Sequence, residues 1–306
     1  MESIKGFTFK FILLGRDGYN GEQIKTSIKL LKDETQINTI VFAIQALQDH
    51  PQSEVIDYKG IQMPTDEQLK EYIAYAKGLG LKVILKPMVD CRNGIWRAHI
   101  NFFDVDVPCE PKWMCWFESY TKYLLHYAKL AEQTNCEMLI IGCELVQSER
   151  REVEWRELIK KIREVYNGLL TYNTDKYQEA HVKWWDALDV ISSSGYYPII
   201  DWEKNLERIE EVVQQYQKPF FFAECGCPSR NGSSYVPNDW TLEGKLDLQE
   251  QANYYSVMFK ACEDKPWING FVCWEWFSFT TEDMEIDDGY SVYKKPASNV
   301  IKKYFE

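Results

Sequence analysis

The sequence lacks the marks of a membrane-bound or exported chain. Its early apolar stretch FKFILLG, residues 9–15, is too short to cross a bilayer, and no basic segment, long apolar stretch and small-residue cleavage site occur in series. A cytoplasmic protein is the expectation. A basic surplus is missing too: 35 Lys and Arg against 47 Asp and Glu leave a net charge of −12. Nucleic-acid backbones and anionic membranes require the opposite sign, so neither is expected as a partner. A neutral substrate suits this charge. No Ser/Gly-rich, Pro-rich or low-complexity run offers a linker, so residues 1–306 are expected to form one domain. Histidine is scarce, with 4 residues and no His-x-x-Glu-His type of spacing. His99 and His181 therefore read as solvated or core residues rather than metal ligands or acids. A disulfide framework is also missing from the pattern. The 9 cysteines are odd in number and scattered, and Cys225 and Cys227 have neither zinc nor redox spacing. Reduced thiols, no metal and no cofactor are the expectation.

What is plentiful is aromatic side chains: 11 Trp, 19 Tyr and 15 Phe. Many belong in a core, but flat rings with a polar handle also stack on the C–H faces of sugars. Apolar runs of strand length fall at residues 7–14, 38–45, 81–86, 138–143, 168–173, 190–197, 219–223 and 268–274. Helical patterns separate them at 23–32, 65–77, 113–133, 152–166, 182–188, 202–216 and 248–263, and a last one lies at 297–305. Thr65 is a fitting N-cap for the second. A polar turn is expected at 15–21, a loop at 46–63 and a long ordered segment at 87–111. The alternation predicts the α/β class, as one (β/α)8 TIM barrel with elaborated βα loops. The aromatic stripe on 113–127 has helical spacing and reads as core.

Two of the runs end in a glutamate. Residues 136–144 read CEMLIIGCE and residues 218–226 read KPFFFAECG. Continuous hydrophobics without alternation fit a parallel strand buried on both faces. A carboxylate at the C-terminal end of such a strand serves packing badly, yet it stands on the face where barrel active sites are built. Cleaving a glycosidic bond takes two carboxyl groups flanking it: one protonates the departing oxygen, the other attacks the anomeric carbon or activates water. Glu144 and Glu224 are the candidate pair. The alternative is that either one is a buried ion-pair partner for Lys86 or Arg97.

With these residues in view, the chain resembles glycoside hydrolase family 113, the β-1,4-mannanases of the large retaining (β/α)8 clan. The resemblance runs nearly the whole length. It is carried by KGFTF, by MPTDEQL followed by GLGLKVILKPMVD, by Trp96-Arg97, and by IIGCEL, YYP, FFAECG and GFVCWEW. It implies a retaining endo-β-1,4-mannanase acting on mannan or manno-oligosaccharides by double displacement, with transglycosylation as the other fate of the intermediate. It also implies Glu144 as acid/base, Glu224 as nucleophile and Trp274 as the platform under the sugar at the cleavage site. Tyr196 matches the tyrosine that steadies the nucleophile, with Tyr197 as second candidate. Lys86 and Arg97 match positions near the glycone-side sugar.

Two departures from that pattern stand out. Much of the clan has Asn before the acid/base, where it binds a sugar hydroxyl. Here Cys143 occupies the position, a poor hydrogen-bonding group, so the contact is lost or supplied by another residue such as Asn173. After strand seven, relatives often show Pro-Trp-Asp and an aromatic, whereas this chain reads Pro237-Asn238-Asp239-Trp240. A missing ring at Asn238 implies altered preference on the leaving-group side. Other features stay open or bland. Trp202 divides between platform and packing. Trp155, Trp184 and Trp185 read as packing. Glu275, beside the platform tryptophan, is expected to point away from the site. The acidic residues Glu282, Asp283, Glu285, Asp287 and Asp288 lack calcium-loop spacing and read as a solvated loop. The same mechanism on xylan or glucan, a non-catalytic carbohydrate-binding barrel, and a metal-dependent barrel hydrolase are the rival readings.

Overall fold

The computed structural model describes residues 1–12, 20–59 and 63–306. Eight parallel strands close into a barrel in chain order. They are β1 (Ile4–Lys10), β2 (Thr39–Gln48), β3 (Lys82–Cys91), β4 (Met138–Cys143), β5 (Leu169–Thr174), β6 (Ile191–Gly195), β7 (Phe220–Cys225) and β8 (Ile268–Phe277). Among the described residues seven α-helices lie between and after them: α1 (Gly21–Thr35), α2 (Asp66–Gly78), α3 (Trp113–Gln133), α4 (Glu152–Arg163), α5 (Trp202–Tyr216), α6 (Leu248–Cys262) and α7 (Pro296–Phe305). This is the (β/α)8 barrel expected from the alternation.

The continuous apolar runs follow from burial on both faces. Inward residues Ile4, Val41, Ile84, Met138, Ile140, Val190, Phe221, Ala223 and Val272 fill the barrel. Outward residues such as Phe7, Phe42, Leu85, Leu139, Tyr172 and Phe222 pack against the helices. A third, smaller layer of Ala43, Met88 and Cys143, with Trp274 against it, closes the barrel just below its mouth. The α3 stripe Trp113, Trp116, Phe117, Tyr120, Tyr123 and Tyr127 is buried, as its spacing predicted. So is Trp202, whose ring packs edge-on against Tyr197, Phe222 and Tyr254. Local signals place several helix starts. The Thr65 hydroxyl accepts from Gln68 N–H while the Gln68 side chain returns a bond to Thr65 N–H, the reciprocal box of a well-made N-terminus.

The structure departs from several of the expected spans. β2 and β3 run past residues 45 and 86, because they pair with each other as far as Gln48 opposite Cys91. The extension carries Met88, opposite Gln45, and Asp90 to the barrel mouth. Between β5 and β6 the helix expected at 182–188 is only a 3-10 turn, Trp185–Ala187. Here the two tryptophans bury themselves instead of forming one helix face. The indole of Trp184 stacks on Trp155 at 4.7 Å and donates to the Glu149 carbonyl at 3.0 Å, while Trp185 donates to the Glu179 carbonyl at 2.8 Å. β1 ends at Lys10, and the expected continuation at 13–14, the turn at 15–19 and the loop residues 60–62 lie outside the described residues.

Gly142, two residues before Glu144, is required by this packing. A Cβ there would lie 2.8 Å from Tyr172 Cε2 and 3.1 Å from Trp155 Cη2. Gly142→Val is expected to destabilise the protein by roughly 1–3 kcal/mol through overpacking. Thermal unfolding followed by circular dichroism checks this, and an unchanged midpoint would mean the wall behind Glu144 yields freely.

Candidate active site

The mouth of the barrel opens into a cavity of about 490 Å³. Its wall includes Lys10, Gln45, Met88, Asp90, Trp96, Arg97, Glu144, Asp175, Tyr196, Glu224, Asn238, Trp240, Trp274 and Tyr290. Glu144 follows β4 directly, and Glu224 is the penultimate residue of β7. Both are buried, at 7% and 3% exposure, so each carboxyl depends on its protein neighbours for solvation.

Glu224 is held as a carboxylate. Lys86, fully buried at the centre of β3, pairs with its Oε1. The Cys143 thiol lies 3.3 Å from the same oxygen, and the Tyr196 hydroxyl donates to Oε2 at 2.9 Å. Burial alone would raise this carboxyl. The charge and hydrogen bond of Lys86, with help from Arg97 and Tyr196, outweigh it and hold Glu224 below its ordinary value.

Glu144 is pushed the other way, to about 7. Burial is the main cause, and the negative charges of Glu224 and Asp175 add to it; Arg97 and Ser194 oppose it. Its Oε1 accepts from Ser194 Oγ at 2.7 Å. Its Oε2 meets the Trp96 indole at 3.3 Å and Arg97 Nη1 at 3.4 Å. Arg97 gives its shorter contacts to Asp90, with Nη2 at 2.6 Å, so its charge is shared rather than spent on Glu144. One oxygen of each glutamate and the Cys143 sulfur lie within 4.8 Å of one another. Those three atoms could ligate a cation, but the Lys86 ammonium already faces Glu224 and Cys143 and would repel it.

The alternative weighed from sequence was that either glutamate pairs with Lys86 or Arg97; the structure pairs Lys86 with Glu224 and Arg97 with Glu144, and both pairs face the cavity. Asn173 is fully buried beneath the cavity. It accepts from Lys86 Nζ at 2.7 Å and donates to Ser194 Oγ at 3.0 Å. A hydrogen-bonded chain therefore runs from Glu224 through Lys86, Asn173 and Ser194 to Glu144. Tyr197 faces away from the cavity, donating to Glu179 at 2.7 Å. Trp274 lines the cavity, with Lys10 Nζ 5.4 Å and Lys86 Nζ 5.9 Å from its ring centre. Glu275 is buried against Lys10 at 3.4 Å and raised to about 7, chiefly by burial. Asn238 is exposed at the rim, and Trp240 close by lines the same wall and is 70% exposed. His99 and His181 are exposed. Asp287 and Asp288 pair with Lys295 and Arg230.

Sequence reasoning missed Ser194, Asp90, Asp175 and Tyr290. Ser194 had a signal, three successive serines in a strand that is otherwise core. Tyr290 had none: it sits in the loop after β8, donates to the Pro237 carbonyl at 2.6 Å and packs edge-on against Tyr196.

Four buried carboxyls are raised above the ordinary range: Asp175 to about 6, Glu144 and Glu275 to about 7, and Glu149 to about 8, burial leading in each. A raised carboxyl contributes stability that is complete below its unfolded value and disappears as pH climbs through the folded one. Stability should thus fall by at least about 1–3 kcal/mol between pH 5 and 8.5. Denaturant unfolding across that window checks the sign, and Glu149→Gln should flatten the slope.

No curated protein matches the chain by sequence. Among solved structures, the complex of a family 113 β-1,4-mannanase is 55% identical over 100% of this chain and 99% of its own, with a TM-score of 0.96. A second structure described in the same terms is 56% identical with the same coverage and TM-score. The family 113 β-mannanase AaManA from Alicyclobacillus acidocaldarius, solved with ManMIm, is 38% identical over 100% of this chain and 97% of its own, with a TM-score of 0.93. The family model for Glycoside Hydrolase Family 113 matches residues 7–295, and with full-length relatives at these identities the chain belongs to that family.

Proposed function

We propose that this chain is a retaining endo-β-1,4-mannanase that cleaves mannan and manno-oligosaccharides by double displacement. The observation that carries the reading is the opposite tuning of two neighbouring carboxyls, one oxygen of each lying within 4.8 Å of the other: Glu224 is kept ionised and Glu144 holds its proton up to about pH 7. A retaining pair stands about 5–5.5 Å apart, whereas an inverting pair needs about 6.5–9.5 Å to admit a water. The relatives named above, described as β-1,4-mannanases, support the choice of sugar.

In the first step the Glu224 carboxylate attacks the anomeric carbon as Glu144 gives its proton to the leaving oxygen. The glycosidic bond breaks, and a glycosyl ester forms on Glu224. Esterification removes the negative charge that had helped to raise Glu144, so its carboxyl becomes the stronger acid and stays ionised after donating. It then takes a proton from water, whose oxygen attacks the anomeric carbon as the bond from that carbon to Glu224 breaks and frees the carboxylate. A sugar hydroxyl in place of water gives transglycosylation. Trp274 supplies the apolar face under the ring, and Trp240 offers a second at the rim. Lys86 and Tyr196 bind the nucleophile and set its charge.

A proton NMR time course on mannohexaose tests both sugar and stereochemistry: fresh β-anomer is expected, and fresh α-anomer would overturn the double displacement. kcat/KM should be bell-shaped, with the alkaline limb near pH 7 where Glu144 loses its proton. Glu224→Gln and Glu144→Gln should each cost on the order of 10²-fold or more. In Glu144→Gln the alkaline limb should vanish.

A further inference from the structure

Glu144 adopts φ +52°, the left-handed region, where a side chain other than glycine persists only if its surroundings enforce it. Two backbone N–H groups anchor this turn. That of Glu144 donates to the Asn173 carbonyl at 2.8 Å, a bond of the sheet. That of Leu145, the next residue, leaves the sheet and donates to the Tyr172 hydroxyl at 3.0 Å. A phenol that accepts such a bond must direct its own proton elsewhere. Tyr172 sends it to Glu149 Oε1, 2.9 Å away.

Glu149 is itself fixed from three sides. Thr174 Oγ1 donates to the same Oε1 at 2.7 Å, and the Trp184 indole donates to the Glu149 carbonyl at 3.0 Å. A 3-10 turn, Val146–Ser148, separates it from the Glu144–Leu145 corner, with Ser148 N–H returning to the Leu145 carbonyl at 2.8 Å. Tyr172, Glu149 and Thr174 are all buried and lie behind the cavity wall. A polar group in such a place costs more than an apolar one of the same shape unless its hydrogen bonds do something that packing cannot. Here they orient a hydroxyl. With its proton committed to Glu149, Tyr172 presents a lone pair to Leu145 and locks the corner on which Glu144 is mounted.

We propose that Tyr172 and Glu149 are positioning residues that hold the left-handed corner at Glu144 and so aim its carboxyl at the leaving oxygen. The proposal rests on the reading of Glu144 as proton donor. Tyr172→Phe removes the acceptor for Leu145. Glu149→Leu removes the acceptor for Tyr172 and leaves the ring in place. Glu149→Gln keeps an oxygen that can accept.

The test compares two leaving groups with the full chain. Mannohexaose departs as an alcohol and needs the proton; a 2,4-dinitrophenyl β-mannobioside departs as a stable phenolate and does not. For Tyr172→Phe and Glu149→Leu, kcat/KM on mannohexaose should drop about 10-fold or more, the cost of a misaimed group. On the dinitrophenyl glycoside it should change less than about 3-fold, because the nucleophile's setting is untouched and general-acid help is not required there. Glu149→Gln should keep the wild-type ratio between the two substrates. Equal losses on both substrates in Tyr172→Phe and Glu149→Leu would reduce the pair to a folding role and overturn the proposal, as would no loss on either. Glu144→Gln is the reference. If it does not discriminate between the leaving groups, its role as proton donor fails and this inference falls with it. If it discriminates while the two positioning variants do not, only this inference fails.

Discussion

The buried pair between Lys86 and Glu224 is the constraint on which the rest of the site depends. An ammonium and a carboxylate taken out of water repay their desolvation poorly, and replacing such a pair by apolar residues often leaves a protein as stable or more so. Stability is therefore a weak reason for it to stand at the centre of the barrel. Its chemical consequence is larger. Lys86 keeps Glu224 charged in a place where burial opposes charge. That retained charge then falls on Glu144, which has only a shared fraction of Arg97 to answer it and keeps its proton to about pH 7. One lysine on β3 thus sets both carboxyls, one directly and one through the other. The chain Lys86–Asn173–Ser194–Glu144 ties the two geometrically as well.

The barrel makes this arrangement possible by interrupting its own regularity at the mouth. The ladders shift register between Ile140 and Cys143, between Ser193 and Ser194, and between Phe222 and Cys225. Such irregularities re-aim side chains that strict alternation would send to the wrong face. They bring Ser194, Glu144 and Glu224 inward together. The layer of Ala43, Met88 and Cys143 packs beside them, so that the buried polar chain through Lys86, Asn173 and Ser194 runs next to an apolar cluster.

The same irregularity marks where the sequence stops being legible. Glu144 and Glu224 were readable because a lone charge at the end of an apolar run has no packing purpose, and that contrast survives any local register. Tyr196 and Tyr197 were not separable by pattern, since a shift between β6 and β7 decides which of them turns toward Glu224. Asn173 was read as a group that could meet the sugar, yet its amide is fully engaged below the cavity, between Lys86, Ser194 and the Thr174 carbonyl. The paired extension of β2 and β3 left no trace in either strand alone, and it is what carries Asp90 to Arg97. The helix expected at 182–188 failed for a related reason. Its spacing was helical, but its two tryptophans were bound for carbonyls and a stacked ring on other elements.

Cys143 shows how a departure from the clan's pattern is absorbed. The residue before Glu144 turns its sulfur between Glu224 Oε1 at 3.3 Å and Arg97 Nη1 at 3.6 Å, where much of the clan has an amide. A thiol is a weak donor, so it adds little to the stabilisation of Glu224 beyond Lys86 and Tyr196. It fills the space between the two ion pairs with a neutral, polarisable group, its own proton held firmly by burial and by the charge of Glu224. An amide there would compete with Lys86 for Glu224 and with Glu144 for Arg97. The thiol leaves both pairings undivided. In this chain the electrostatic division between the carboxyls therefore rests on Lys86 and Arg97, and Cys143 stands between the two pairs without replacing either cation.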